Sequence, residues 1–483
     1  MTGDAQLTDL TAQAAVELLR QREVSPLELI DAALARIAAT DHAISALPTL
    51  CPERARDHAR RLMSAPPPDQ PHPGWLAGLP IAVKDLNDVA GVRTTYGSPI
   101  FADHVPGRSD IMVERLEERG ALVLAKSNTP EFGAGANTFN EVFGETRNPW
   151  NTALTCGGSS GGSAATLAAG QVWLATGSDL GGSLRTPASF CSVVGLRPSP
   201  GRVATGPQER PFGTLAVEGP MGRTVGDVAL MLDAMAGWHL EDPLSLSAPA
   251  QSFQAAAAAR RLPERVAFSP DLGISPVDAE VREICAAAAR RFGETGVAVE
   301  EACPDFSGAV EAFRTLRAAG FVASMMEHYE HRRDRLKPDV IWNIEHGLKL
   351  DSGDIARAET ARGAIYHRLA GFFRTYDLLL CPAACVPPFD VKIRWLKELN
   401  GIPFDNYVEW IRITYALTLT SCPIVALPCG FTRDGRPVGL QLVGRPRDEA
   451  GLLAAAAAFE ETMDIARQVP IEPRTPAPSA RPG

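Results

Sequence analysis

The chain has 483 residues, of which 45% are apolar and 22% charged, and its formal net charge is -10. That length allows one large domain or two to three smaller ones, and the composition is that of a globular protein able to bury a large core. The acidic balance argues against a nucleic-acid or anionic-membrane partner.

The nine cysteines are odd in number, scattered, and form no C-x-x-C pair. They argue against a disulfide framework or a zinc site and point to the reducing cytoplasm. The N-terminus lacks the basic patch and apolar run of a secretory signal. Two uncharged stretches, 148–178 and 413–432, are broken by Gly, Ser, Thr or Pro and read as buried backbone, not as membrane spans.

In chain order, residues 7–40 predict two amphipathic helices, with Leu27, Ile30, Leu34 and Ile37 at helical spacing and Ser25-Pro26 as a start signal. A proline-rich connector, 64–73, follows. Strand and helix patterns then alternate: a strand at 79–83, a helix at 109–118, a strand at 121–125, a helix at 163–169, a strand at 172–176 and a helix at 224–235. Further strands are predicted at 266–268 and 297–299, with a helix opened by Ser275-Pro276 between them. Strands at 424–427 and 438–443 flank the turn Arg433-Asp434-Gly435 and predict a hairpin. A last helix covers about 449–462. This alternation predicts an α/β fold, a sheet covered by helices on both faces, in a single domain over 1–470. The N-terminal helices, within 1–65, should pack on the core, and the Pro-rich tail 471–483 is expected to be disordered.

The most informative segment is 156–163, CGGSSGGS, whose four glycines permit a backbone that side chains would forbid. A flexible linker is the plain alternative, but the segment runs directly into the apolar AATLAAG, where a linker would meet solvated residues. A second cluster, Ser178-Asp179-Leu180-Gly181-Gly182-Ser183, follows a strand, where open α/β sheets place their sites. Successive N–H groups of a Gly-Gly-Ser turn can converge on a developing oxyanion.

A serine nucleophile needs a base, and no histidine lies between His104 and His239. A lysine serves if burial leaves its amine neutral. Lys84 ends the apolar run LPIAV. A single lysine is ordinarily a solvated surface charge, but this approach directs it from the interior.

Together, GLPIAVKD at 78–85, GGSSGGSAA, SDLGGSLRTPA at 178–188 and GLRPSPGRV at 195–203 resemble the amidase-signature hydrolases, in that family's order and with its 24-residue spacing between Ser159 and Ser183. The resemblance implies a single large α/β domain with a mixed central sheet. It implies Ser183 as nucleophile, Ser159 as bridging serine after a cis peptide at Gly158, and Lys84 as base. The backbone amides of Leu180, Gly181, Gly182 and Ser183 would form the oxyanion hole, with Gly158, Ser160, Asp179 and Arg185 in support. Ser178 stands where the family commonly has threonine, and Cys191-Ser192 replaces a usual Cys-Gly. Neither change touches the triad. The implied chemistry is amide C–N hydrolysis through an acyl-enzyme, with no metal or cofactor, by a monomer or homodimer acting on a small molecule.

Three alternatives compete. Gly157-Gly158-Ser159-Ser160-Gly161 satisfies the G-x-S-x-G of an α/β-hydrolase esterase, but that elbow follows a strand, and TRNPWNTALT shows little β character. A phosphate-binding module lacks its G-x-x-x-x-G-K-[ST]. The glutamine-amidase subunit of a tRNA-dependent amidotransferase carries the same signature, yet 204–220 and 337–348 look more like stand-alone amidases of the aryl-acylamidase and cyclic-amide kind. His328 and His331, on a predicted helix with no carboxylate motif nearby, read as surface residues. Phe132, Phe139, Phe143, Trp150, Met325, Met326, Trp342 and Tyr415 are candidates for an apolar pocket or for the core. They suit an uncharged amide, anilide or carbamate, an aryl-acylamidase or urethanase substrate.

Overall fold

A computed structural model describes residues 4–476 except 67, 209, 466 and 467. Its centre is an 11-stranded sheet. The strands in chain order are β1 (Thr49–Leu50), β2 (Pro80–Lys84), β3 (Leu122–Ser127), β4 (Leu174–Asp179), β5 (Val194–Arg197), β6 (Val217–Gly222), β7 (Arg265–Phe268), β8 (Ala298–Glu301), β9 (Leu378–Pro382), β10 (Ile424–Phe431) and β11 (Pro437–Val443). Across the sheet they run β1-β3-β2-β4-β6-β5-β10-β11-β9-β7-β8. The sheet is mixed. β2 is parallel to both β3 and β4, whereas β4 to β6 and β6 to β5 are antiparallel.

All five residues of β2 are buried, as are all six of β3. Central strands covered on both sides read as continuous apolar runs, which is how this pair was legible in the sequence. The hairpin predicted at the C-terminus joins β10 to β11, with Gly435 at φ +81 in its turn.

Helices flank the sheet. A short helix, Asp4–Asp9, precedes the two expected within 7–40, Ala12–Gln21 and Pro26–Ile44. The last opens on a capping box, Ser25 with Glu28, with Pro26 in its first turn. Five further helices matter to the site: α1 (Ile111–Glu118), α2 (Gly161–Ala168), α3 (Arg185–Cys191), α4 (Val225–Met235) and α5 (Arg412–Thr418). α2 lies against β2, β3 and β4, and every one of its residues is buried.

Two expectations change. Asn151–Thr155 is a strand after all, though in a small two-stranded sheet with Arg147–Asn148 and not in the main sheet. The tail expected to be disordered from 471 begins by docking on the body. Ile471 N–H donates to Ala168 O, Arg474 N–H to Pro149 O, and Thr152 N–H to Arg474 O. These backbone bonds and the buried Ile471 side chain hold it there. Residues 477–483 lie outside the described residues.

Candidate active site

β2 delivers Lys84 to the sheet's interior, where its side chain is 0% exposed. Its Nζ lies 2.7 Å from Ser159 Oγ, 2.8 Å from Ser160 Oγ and 2.9 Å from Ser178 Oγ. A lysine ammonium has three donors and no acceptor, so three hydroxyls satisfy it completely. Its backbone N–H is also tied, to Thr176 Oγ1 on β4 at 2.9 Å. Burial drives the amine down from the usual lysine range to about 7, against the upward pull of the Glu218 and Asp179 carboxylates.

Ser159 and Ser160 sit on the Gly-rich turn that leads into α2, and the Gly158–Ser159 peptide is cis. The turn is fixed from behind by Thr138. Its Oγ1 donates to Gly157 O at 2.9 Å and accepts from Gly161 N at 3.1 Å.

Ser183 joins the cluster through its backbone, its carbonyl accepting from Ser160 N–H at 3.2 Å. The Ser183 side chain is half-buried, so it is the member of the expected triad that meets the outside. Among the described residues no hydrogen bond runs from Ser183 Oγ to Ser159 Oγ.

The loop carrying Ser183 is anchored by a buried ion network. Arg185 Nε and Nη2 donate to Asp179 Oδ2 and Oδ1 at 3.0 and 2.9 Å. Its Nη1 reaches Gln441 Oε1 at 2.7 Å. Arg197 also faces Asp179. Burial alone would raise the Asp179 carboxyl, but Arg185 and then Arg197 hold it well below the usual carboxylate range. The same carboxylate accepts from Gly182 N–H at 3.0 Å and Leu184 N–H at 3.1 Å. This corrects one expectation. The Gly182 amide anchors the loop to Asp179, leaving Leu180, Gly181 and Ser183 as the amides without a protein acceptor among the described residues.

Sequence reading missed several neighbours. Ser178, noted as the start of the second Gly/Ser cluster and as a departure from the family but given no role, proves to be a direct partner of Lys84. Thr138 and Gln441 carried no local signal, because their partners lie 19 and 256 residues away. Glu218 was not singled out either. On β6 it is the register partner of Ser178, and its Oε2 is buried without a hydrogen-bond partner.

The pocket candidates separate. Phe132 precedes Gly133, where an added Cβ would lie 3.5 Å from Ser159 Oγ. Tyr415 stacks on Phe313 at 4.1 Å, and both rest against Gly181. Met325 and Met326 join Phe132 in a small second apolar cluster. Trp150 is buried against Phe431 and belongs to the core. Phe139 lies under Arg394, Phe143 under Arg93, and Trp342 stacks on His346. His331 is exposed, but His328 is half-buried and stacked on Phe132, unlike the surface residue expected. Among the described residues no His, Cys, Asp and Glu group could hold a metal ion. Two sizeable cavities, of about 610 and 1020 Å³, lie elsewhere, beside Arg223 and Glu460 and beside Leu62 and Trp75.

Fold and site together set a fully buried lysine among three serine hydroxyls on a mixed α/β sheet, and the comparisons place that arrangement in a family. The family model Amidase matches residues 28–453. An acylamidase of Rhodococcus erythropolis is 34% identical over 466 residues, covering 96% of this chain and 97% of that protein. A glutamyl-tRNA(Gln) amidotransferase subunit of Moorella thermoacetica is 35% identical over 485 residues, covering 95% and 98%. The crystal structure of a bacterial aryl acylamidase of the amidase-signature family superposes with a TM-score of 0.87 at 29% identity, covering 96% and 99%. The chain belongs to the amidase-signature family. It is an amidohydrolase, acting on amide C–N bonds.

Proposed function

We propose that this amidohydrolase cleaves small, largely uncharged amides, anilides or carbamates through an acyl-enzyme on Ser183, with Ser159 and Lys84 as its proton relay. The observation that carries the reading is the buried contact of 2.7 Å between Lys84 Nζ and Ser159 Oγ. Neutral Lys84 takes the Ser159 proton as Ser159 takes that of Ser183, whose Oγ adds to the substrate carbonyl. The amides of Leu180, Gly181 and Ser183 would stabilise the oxyanion, an effect worth roughly 10²–10³-fold per donor in such sites. On collapse the C–N bond breaks and the relay returns its proton to the leaving amine. Water then adds to the acyl-enzyme by the same relay, releasing the acid and free Ser183.

Half-buried Phe132, beside Gly133 and Ser159, supplies an apolar wall for an uncharged substrate, while Phe313 and Tyr415 are fully buried core residues under Gly181. The nine unpaired cysteines favour a reducing compartment, the cytoplasm, and no helix of the described residues is long and apolar enough to cross a membrane. The test is turnover of a panel of amides, anilides, carbamates and esters by wild type and by Ser183→Ala. Loss of every activity in the variant supports the reading, and retention of amide turnover overturns it. A second reading, glutamine hydrolysis within an amidotransferase, is favoured by the likeness to glutamyl-tRNA(Gln) amidotransferase subunits such as that of Moorella thermoacetica.

A further inference from the structure

Lys84 faces two carboxylates, and they are not equivalent. Asp179 is neutralised by Arg185 and Arg197, both buried with it. Among the described residues Glu218 has no ion-pair partner within 4 Å. It sits on β6 directly across from Ser178 of β4, so the two side chains share one face of the sheet. Cross-strand pairs of this kind place their Cβ atoms about 4.5–5.5 Å apart. Ser178 Oγ is itself 2.9 Å from Lys84 Nζ. Ser178 thus stands between the lysine and a neighbouring carboxyl group whose Oε2 is buried and has no hydrogen-bond partner.

We propose that Glu218 is a positioning residue of the relay: its carboxylate is the uncompensated counter-charge of Lys84 and sets the pH at which that amine sheds its proton and becomes a base. This rests on the reading of Lys84 as the relay base.

The electrostatics run the same way from both sides. Desolvation of the half-buried Glu218 raises its carboxyl to about 7, opposed by the charge of Lys84 and by the Asn87 side-chain amide. In return Glu218 is the first charge that holds the lysine up against its own burial. The remaining neighbours are accounted for. Asp110, at the N-cap of α1, adds a further push upward on Glu218 and is held by Asn87 Nδ2 at 3.0 Å. On α4, which packs on β6, Asp227 is turned to Gln13 N–H and Asp233 to the amides of Phe253 and Gln254. α2 carries no charge. Arg197 of β5 is committed to Asp179.

The test is the pH dependence of kcat/KM on a chromogenic neutral anilide in wild type, Glu218→Gln, Glu218→Asp and Lys84→Ala. Removing the negative charge should move the ascending limb to lower pH by about a unit, while Glu218→Asp, keeping the charge, should hold it near wild type. A limb that stays in place in Glu218→Gln, with activity lost in Lys84→Ala, overturns this inference alone. An ascending limb that persists in Lys84→Ala overturns the relay reading beneath it. Should the Gln variant not fold, ¹³C NMR of the wild-type protein decides. Glu218 Cδ should ionise before or together with the loss of the Lys84 proton read at Cε, and a Glu218 carboxyl still protonated after Lys84 has titrated overturns the proposal.

Discussion

Lys84 Nζ and Ser159 Oγ stand 2.7 Å apart in a site sealed from solvent, on β2 and on the turn before α2, elements 75 residues apart in sequence. The contact joins a would-be base to a would-be bridge and makes their roles inseparable. Ser183→Ala should remove essentially all turnover. Lys84→Ala and Ser159→Ala should each lower kcat by roughly 10²–10⁴-fold, the usual worth of positioned acid–base catalysis. The double variant should lose little more than either single one, because the relay acts as a unit. Additive losses would show that the two residues act independently.

Much of this was legible in the sequence. The uncharged run into Lys84 announced a buried strand, and the paired Gly/Ser clusters announced two tight turns. Invisible were the relationships that only the sheet creates. β1, β5, β6 and β9 escaped prediction, β6 because Gly219, Pro220 and Gly222 make it look like a loop. With β6 went the pairing of Glu218 with Ser178. Gly182 was read as an oxyanion donor because a Gly-Gly-Ser turn can aim successive amides at one point. Which amide Asp179 would claim depends on the position of a side chain buried by Arg185 and Arg197, and no local pattern encodes that.

The rate should rise with pH through about 7, the value to which burial lowers the Lys84 amine. The sign follows from the base being the unprotonated form, present above that value and not merely above the ordinary lysine range. Between the two, the unfolded chain binds a proton that the folded one lacks, so this group's contribution to stability increases with pH. A kcat/KM profile from pH 5 to 10 checks the first point, and a flat profile contradicts it.

The loop under Ser183 should tolerate little change. Gly182 has φ +126, and an added Cβ would lie 2.5 Å from Thr414 Oγ1. Gly182→Ala should therefore cost about 1–3 kcal/mol from backbone strain alone, seen as a lower Tm, and should lower kcat. Arg185→Leu leaves Asp179 buried with less compensation and should cost about 3–5 kcal/mol. Urea unfolding of both variants measures these losses, and wild-type midpoints would show that the network does not hold the loop.

Substrate choice separates the two readings of the family resemblance. The apolar wall at Phe132 predicts a higher kcat/KM on a neutral anilide than on glutamine or asparagine. A clear preference for the free amino acid would favour the amidotransferase-like reading.

The most direct measurement is the identity of the residue that becomes covalently modified. A fluorophosphonate should inactivate the enzyme at one equivalent, and peptide mapping by mass spectrometry should find the adduct on Ser183, with labelling strongly slowed in Lys84→Ala. An adduct on Ser159 or Ser160, or labelling of Ser183 at an unchanged rate without Lys84, would contradict the account.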